Sequence, residues 1–398
     1  MRFASAISAN SDGNVALSNL FTAVDRRITR GMVDLVVFFC TPHFEEEMDN
    51  LVTALHDGFS GAIVLGCTGE GTLATEREVE RRPSMSLLAA CLPGVRIQPF
   101  HVRQPQLDAV QTHHDWERLV GAAPESRPVF ITLADPFRLN ILGFVEQISQ
   151  AYPQRPLFGG VASAGSAPGE NRLILDGEIL RDGAVGVALT GNLDAIAVVS
   201  QGCRPIGKPF VITKGEHNIV QALGGLPALT RLQSVLTQLS PEEEKLARQS
   251  LFLGRAIDEY RSEFGRGDFL IHSILGADKE TGALAIAGPA RVGTTVQFHV
   301  RDAKSADEDL RTVLAPYAGS DVRGGLLFGC NGRGTRMWPR PGHDVGVLRE
   351  LLGDVPVAGF FCAGEFGPVG GRNFVHGFTA SIALFRAPEG DPPEEDEA

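Results

Sequence analysis

Apolar positions along the chain fall into short blocks whose spacing switches between the two periods of regular structure. Leu17, Leu20, Phe21, Val24 and Ile28 recur at helical spacing behind Ser11-Asp12-Gly13. Met32–Cys40 is an unbroken apolar run rich in β-branched residues, the signature of a buried strand. Thr41-Pro42 then has the form of a helix start, with Glu45, Glu46 and Glu47 suited to its dipole and Phe44, Met48, Leu51, Val52 and Leu55 on one face. Ala62–Leu65 supplies the next strand, so the opening reads as a βαβ unit. Later, Val129–Leu133 and Leu157–Val161 predict strands flanking a helix over Phe137–Ala151. Asp176-Gly177 and Asp182-Gly183 are hairpin signals, and Ala184–Leu189 and Ala195–Ser200 continue an antiparallel meander.

Further on, the pattern predicts a helix over Leu226–Leu239 and a new one from the capping box Ser240-Pro241-Glu242-Glu243. Strands follow at Phe269–Leu275 and Thr295–Val300, with a second capping box at Ser305 and Glu308. Gly325–Phe328 and Val357–Phe361 are strands around a helix over Asp344–Leu352, and Phe374–Phe385 is the last strand. Three of the strands run into similar Gly-rich turns: Gly66-Cys67-Thr68-Gly69-Glu70, Gly329-Cys330-Asn331-Gly332-Arg333 and Cys362-Ala363-Gly364-Glu365. Such turns expose backbone N–H groups and allow close approach. Their recurrence suggests a mixed α/β protein of two related lobes with mixed or antiparallel sheets, outer helices and an αββα-type sandwich. The lobes are expected at 1–220 and 221–385, with an acidic tail, 386–398, expected to be disordered.

Composition narrows the function classes. Net charge is −12 over 398 residues, which argues against nucleic acid as the main partner. The apolar runs are too short to span a membrane and no signal-peptide pattern opens the chain, so a cytoplasmic location is expected. Six scattered cysteines form no CxxC pair, which speaks against a zinc ribbon or a disulfide framework.

Two phosphate-binding lures fail on mechanism. Gly202-Cys203-Arg204-Pro205-Ile206-Gly207-Lys208 has P-loop spacing, but Pro209 stands where a hydroxyl should hold Mg²⁺ and a strand-like run follows. Gly69-Glu70-Gly71-Thr72-Leu73-Ala74 approaches the dinucleotide fingerprint, but its strand ends too early and Thr75-Glu76-Arg77-Glu78 offers no apolar helix face.

The run from Gly324 to Gly334, the run from Pro356 to Asn373, and His376-Gly377-Phe378-Thr379 resemble the C-terminal half of FIST proteins, named for F-box and intracellular signal transduction. Gly66-Cys67-Thr68-Gly69-Glu70, Gly159-Gly160-Val161-Ala162-Ser163 and Ser200-Gln201-Gly202-Cys203-Arg204-Pro205-Ile206-Gly207 are similar to its N-terminal half. The sequence departs from the bacterial pattern at Thr72–Pro83, which is charged here, and no F-box is present. The resemblance implies paired FIST_N and FIST_C regions in a bacterial sensor of small ligands such as amino acids, acting with a signalling protein such as a histidine kinase. It also implies an alternative, a haem-containing nitric-oxide sensor.

The candidate ligand-binding residues are Cys67, Gly69, Glu70, Cys330, Asn331, Arg333, Gly364, Glu365 and Asn373. Glu70 and Glu365 suit a ligand amine, with capping of their own loops as the alternative, and Arg333 a ligand carboxylate, with a solvated surface role as its alternative; together they fit a zwitterion. Asn331 and Asn373 have the conformational role common to turn residues as their alternative. A thiol beside turn amides can be activated, so Cys330 with His376 and Glu365 outlines a thiol enzyme as a further alternative. His101, His113, His114, His217 and His376 are candidate haem ligands, each set against an ordinary surface or core role.

Overall fold

The computed structural model describes residues 1–261 and 263–388, and the acidic run Glu389–Ala398 lies outside them. The chain divides into two compact units, the smaller formed by Ser200–Thr312 with His376–Thr379 and the larger by the rest.

The larger unit repeats one plan three times. The first repeat runs β1 (Arg2–Ser8), α1 (Gly13–Asp25), β2 (Leu35–Cys40), α2 (Met48–Gly58), β3 (Ile63–Thr68), a hairpin of β4 (Gly71–Ala74) and β5 (Arg77–Glu80), and β6 (Met85–Cys91). The second runs β7 (Val95–Val102), α3 (Gln104–Ala109), α4 (His113–Val120), β8 (Val129–Ala134), α5 (Ile141–Ala151), β9 (Leu157–Val161), a hairpin of β10 (Leu173–Leu175) and β11 (Glu178–Leu180), and β12 (Ala184–Gly191). The third opens with β13 (Asp194–Gln201) and is then interrupted in sequence by the smaller unit.

That unit contains β14 (Cys203–Glu216), β15 (Ile219–Leu223), β16 (Leu226–Pro227), α6 (Ala228–Leu236), α7 (Pro241–Gln249), β17 (Leu251–Ala256), β18 (Phe269–Ala277), β19 (Leu284–Ile286) and β20 (Thr295–Arg301). Its sheet runs β14-β20-β17-β18-β19-β15, and β14 also pairs with β15, so these strands close into a barrel. Apolar residues such as Ile212, Leu253, Ile286 and Phe298 form its core.

After α8 (Ala303–Leu314), nearly all of which falls in the smaller unit, the third repeat resumes with β21 (Gly324–Cys330), α9 (His343–Leu352), β22 (Val357–Cys362), a hairpin of β23 (Glu365–Val369) and β24 (Arg372–His376), and β25 (Thr379–Arg386). Each repeat builds a sheet around a parallel pair joined by a helix: β2–β3, β8–β9 and β21–β22. The hairpins do not stay at home. β4–β5 extends the third repeat's sheet beyond β22, β10–β11 extends the first beyond β3, and β23–β24 extends the second beyond β9. All three sheets thereby acquire the same strand order, and the exchange is cyclic.

The expected mixed sheets and outer helices are present. The recurrence itself is threefold among the described residues, one more than the two related lobes anticipated. Inner faces of all three sheets share one core, with Phe39 and Leu65 of the first, Leu133 and Phe158 of the second, and Phe328 and Phe360 of the third. The alternate residues of the first sheet pack under α1 and α2, and those of the second under α4 and α5. Strands buried on both faces read as continuous apolar runs, which is why the sequence reveals them clearly.

A glycine marks the same place in every parallel pair. Gly66, Gly159 and Gly359 lie opposite Phe38, Thr132 and Leu327. A Cβ at these positions would meet the partner's carbonyl oxygen at 2.5, 1.7 and 1.8 Å respectively. Close strand approach, rather than turn formation alone, therefore requires these glycines.

Several local expectations shift. Thr41 caps no helix; its hydroxyl accepts from the Ser84 amide at 3.0 Å, and a 3-10 turn, Pro42–Glu47, precedes α2. The helix expected from Phe137 begins at Ile141, where the Asn140 side chain accepts from the Gly143 amide. β12 and β13 do not form a meander, because they enter different sheets. Ser305 lies inside α8, its hydroxyl on Asp302. The last expected strand breaks at Gly377-Phe378, with Phe378 at φ 63°, into β24 and β25.

Candidate functional site

The two ends of the three-sheet core differ in chemistry. At the end where the parallel pairs begin, the space between the sheets is lined by apolar side chains, including Phe3, Leu35, Ala90, Ile131, Leu189 and Leu326. At the end where the pairs finish, buried polar and charged residues gather: Thr41, Thr68, Asp135, Asn171, Arg333, Asp344 and Glu365. Exposed backbone at the carboxyl ends of parallel strands is a common place for ligands in α/β folds.

The turns at this end are joined across repeats. The Ser163 hydroxyl donates to the Phe361 carbonyl and accepts from the Glu70 amide at 2.9 Å. The Asn331 amide donates to the Cys362 carbonyl at 2.8 Å, and the Ala363 amide to that of Val161 at 3.0 Å. Arg336 clasps the Glu70 carboxylate through both terminal nitrogens, at 2.8 and 2.6 Å, and also donates to the Asn331 carbonyl at 2.6 Å.

These contacts place most of the nine candidates together. Cys67, Gly69 and Glu70 follow along β3 and its turn; Cys330, Asn331 and Arg333 follow β21; Gly364 and Glu365 follow β22. Asn373 is elsewhere, at the edge of the second sheet. Its side chain accepts from the Leu157 amide at 2.9 Å and donates to the Arg155 carbonyl at 2.9 Å and the Ser149 hydroxyl at 3.2 Å.

The matching of turns also changes. Aligned on the three close-approach glycines, Glu70 corresponds to Ser163 and Ala363. Glu365, which pairs with Gly160, corresponds to Thr72 opposite Phe360 and Leu173 opposite Cys67. Arg333 follows the first strand of its parallel pair, whereas Glu70 and Glu365 follow the second. The resemblance of the three motifs therefore comes from glycine content and not from equivalent position.

Arg333 is 0% exposed. Its Nε and Nη2 donate to Asp344 at 2.6 and 2.8 Å, while Nη1 has no acceptor among the described residues. Asp344 opens α9 and also receives His343 Nδ1 at 3.1 Å. The His343 ring stacks on Trp338 at 3.5 Å, and the Arg333 guanidinium lies 5.7 Å from the same indole. Burial raises the Asp344 carboxyl, but the Arg333 charge and hydrogen bonds outweigh it and hold it well below the ordinary range.

The charged stretch after Gly71 is the β4–β5 hairpin. Glu78 accepts from the Val345 and Gly342 amides at 3.0 and 3.2 Å, covering the start of α9. Burial, together with the Asp344 charge, pushes Glu78 up to about 7 against those two hydrogen bonds. Glu80 accepts from the Thr335 amide and hydroxyl at 2.8 and 2.9 Å. Sequence reasoning missed Glu78, Glu80, Trp338, Arg336 and Ser163. The available signal was the charge concentrated in Thr72–Pro83, which has acidic residues where a hairpin face would ordinarily be apolar.

Cys67 and Cys362 have a different character from the one expected of activated nucleophiles. Burial pushes Cys67 and Cys362 well above the usual thiol range, with the neighbouring thiols and, for Cys362, Glu365 adding to it. Cys330 Sγ receives the Gly332 amide at 3.3 Å. His376 belongs to the smaller unit, whereas Cys330 and Glu365 belong to the larger. Among the haem-ligand candidates, His101 bonds the Asp182 carbonyl at 2.9 Å and His113 and His114 are exposed on α4. Among the described residues, no group of three or more His, Cys, Asp or Glu side chains is arranged to hold a metal ion. No helix among them is long and apolar enough to cross a membrane.

The FIST N domain model matches residues 34–226 and the FIST C domain model residues 228–368. The chain belongs to the FIST family, which is associated with sensing in signal transduction. Uncharacterised proteins of Mycobacterium tuberculosis (strain CDC 1551 / Oshkosh) and Mycobacterium bovis (strain ATCC BAA-935 / AF2122/97) are similar to it. The first is 36% identical over 97% of this chain and 100% of its own length. The second is 40% identical over 81% of this chain and 82% of its own. Among solved structures, the cyanuric acid hydrolase from A. caulinodans aligns over 97% of this chain and 99% of its own, at 12% identity and a TM-score of 0.32.

Proposed function

We propose that this chain is a sensory protein that binds a small zwitterionic metabolite, such as an amino acid, at the polar end of the three-sheet core. The observation that carries the reading is the collection of charged and polar side chains from all three repeats at one end, opposite an apolar one. Glu70 and Arg336 offer charges of both signs at its rim, and Arg333 is buried against Asp344. A ligand there touches turns from several repeats at once, so its binding energy favours one arrangement of those turns over others. A signalling protein such as a histidine kinase would read that arrangement.

The test is a thermal-shift screen of the purified full chain against a panel of amino acids, with hits repeated by equilibrium dialysis. A ligand at one hundred times its dissociation constant stabilises the native state by about 2.7 kcal/mol. A rise in Tm that saturates with concentration supports the reading. No shift and no retention across the panel overturns it.

A further inference from the structure

We infer that Arg333 Nη1 and Trp338 Nε1 form a docking point for a carboxylate oxygen of a small ligand. This rests on the sensory reading above and names the chemistry its site accepts. Both side chains are buried, at 0% and 6% exposure, and neither of these two nitrogens has an acceptor among the described residues. More than about 90% of buried polar groups in folded proteins are partnered, so two unsatisfied donors in one cluster call for an acceptor beyond the described residues.

The donor set selects the acceptor. Guanidinium and indole nitrogens are donors only. A water placed between them brings two protons that need acceptors of their own, whereas a carboxylate oxygen brings none. The remaining guanidinium nitrogens are held by Asp344, which fixes the direction of Nη1. The indole is held in turn by the stacked His343 ring. The docking point is therefore rigid before any ligand arrives.

Charge sets the conditions. Glu78 is faced by Asp344 on α9, by Arg333 on the turn and by Glu80 on its own strand, with His343 beside Asp344. With Glu78 ionised, Arg333, Asp344 and Glu78 together carry one negative charge. A bound carboxylate restores that same total once Glu78 takes up a proton. Binding should therefore tighten as pH falls from 8 towards 7, by up to about tenfold per pH unit, and level off below.

The experiment uses the full chain with Trp116→Phe, which leaves Trp338 as the sole indole of the two. Sodium acetate and acetamide are titrated at constant ionic strength while Trp338 fluorescence is read at pH 6, 7 and 8. The expected result is a saturable change with acetate, absent with acetamide and weaker at pH 8 than at pH 7. Equal responses to both probes, or no saturation with acetate, overturn the inference. A second variant, Trp338→Phe in the natural chain, should reduce an amino-acid-induced thermal shift. If that shift is unchanged, the docking point is wrong while the sensory reading stands.

Discussion

Replacing Gly159 with alanine tests the reason for the close-approach glycines directly. The new Cβ would lie 1.7 Å from the Thr132 carbonyl oxygen, at a residue whose φ is 141°. Contacts under 3.0 Å essentially never occur for a real Cβ, so the strands must separate by at least 3.0 − 1.7 = 1.3 Å. A separation of that size stretches the neighbouring ladder hydrogen bonds past their useful length, at about 1 kcal/mol or more for each one lost. With backbone strain added, Gly159→Ala should cost about 4 kcal/mol or more, the range reached only by specific steric or burial defects. Gly359→Ala needs 3.0 − 1.8 = 1.2 Å and should match it. Gly66→Ala needs 3.0 − 2.5 = 0.5 Å and should cost about 1–3 kcal/mol. Gly346 in α9 is the control, because nothing lies within 4 Å of its added Cβ, and alanine there should stabilise by up to about 1 kcal/mol. Guanidinium denaturation of the full chain, followed by circular dichroism, ranks the four variants. If Gly159→Ala falls within about 1 kcal/mol of Gly346→Ala, the argument from close approach is refuted.

Acid should weaken the barrel unit. Burial pushes both His272 and His299 down to about 4, so the unfolded chain binds more protons than the folded one between about pH 6.5 and 4. Stability falls as pH falls through that window, by up to about 3 kcal/mol for His299 and less for the more exposed His272. The acid loss measured by thermal unfolding should shrink in His299→Gln, and an unchanged slope would contradict it. Asn373→Ala should cost about 1–3 kcal/mol by stranding the Leu157 amide, without altering any amino-acid-induced thermal shift. A lost shift in a stably folded Asn373→Ala protein would return Asn373 to the ligand site.

The legibility of this chain follows its physics. Leu35–Cys40 and Val357–Cys362 are apolar on both faces, so their pattern survives any arrangement of the sheets. The α2 face is equally plain, since Leu51, Val52 and Leu55 recur at helical spacing. The hairpin of β4 and β5 was invisible because its partners are remote in sequence: Thr72 pairs with Phe360, and Glu78 serves the start of α9. Nothing local distinguishes such acids from a solvated surface run. The turn motifs were seen, but their equivalence was read from glycine content. Only strand register separates a glycine admitted by a neighbouring carbonyl, such as Gly66, from one that shapes a turn. Arg333 was singled out as a contact for a ligand carboxylate, with a solvated surface role as its alternative; it is buried, and its bond to Asp344 depends on a loop closure that spacing does not encode.

The cyclic exchange of hairpins has a practical consequence for dissecting the protein. The junction between the FIST N and FIST C segments, at residues 226–228, falls on β16 and therefore within the barrel unit. A fragment ending there would carry β4–β5 with no β22 to receive it, and a β9 edge left open for want of β23. The complementary fragment would carry β23–β24 without β9. Uncovered strand edges of this kind are templates for aggregation. The two named segments are thus units of inheritance rather than units of assembly. Truncation studies should therefore keep the three repeats together, or supply both pieces and look for reconstitution.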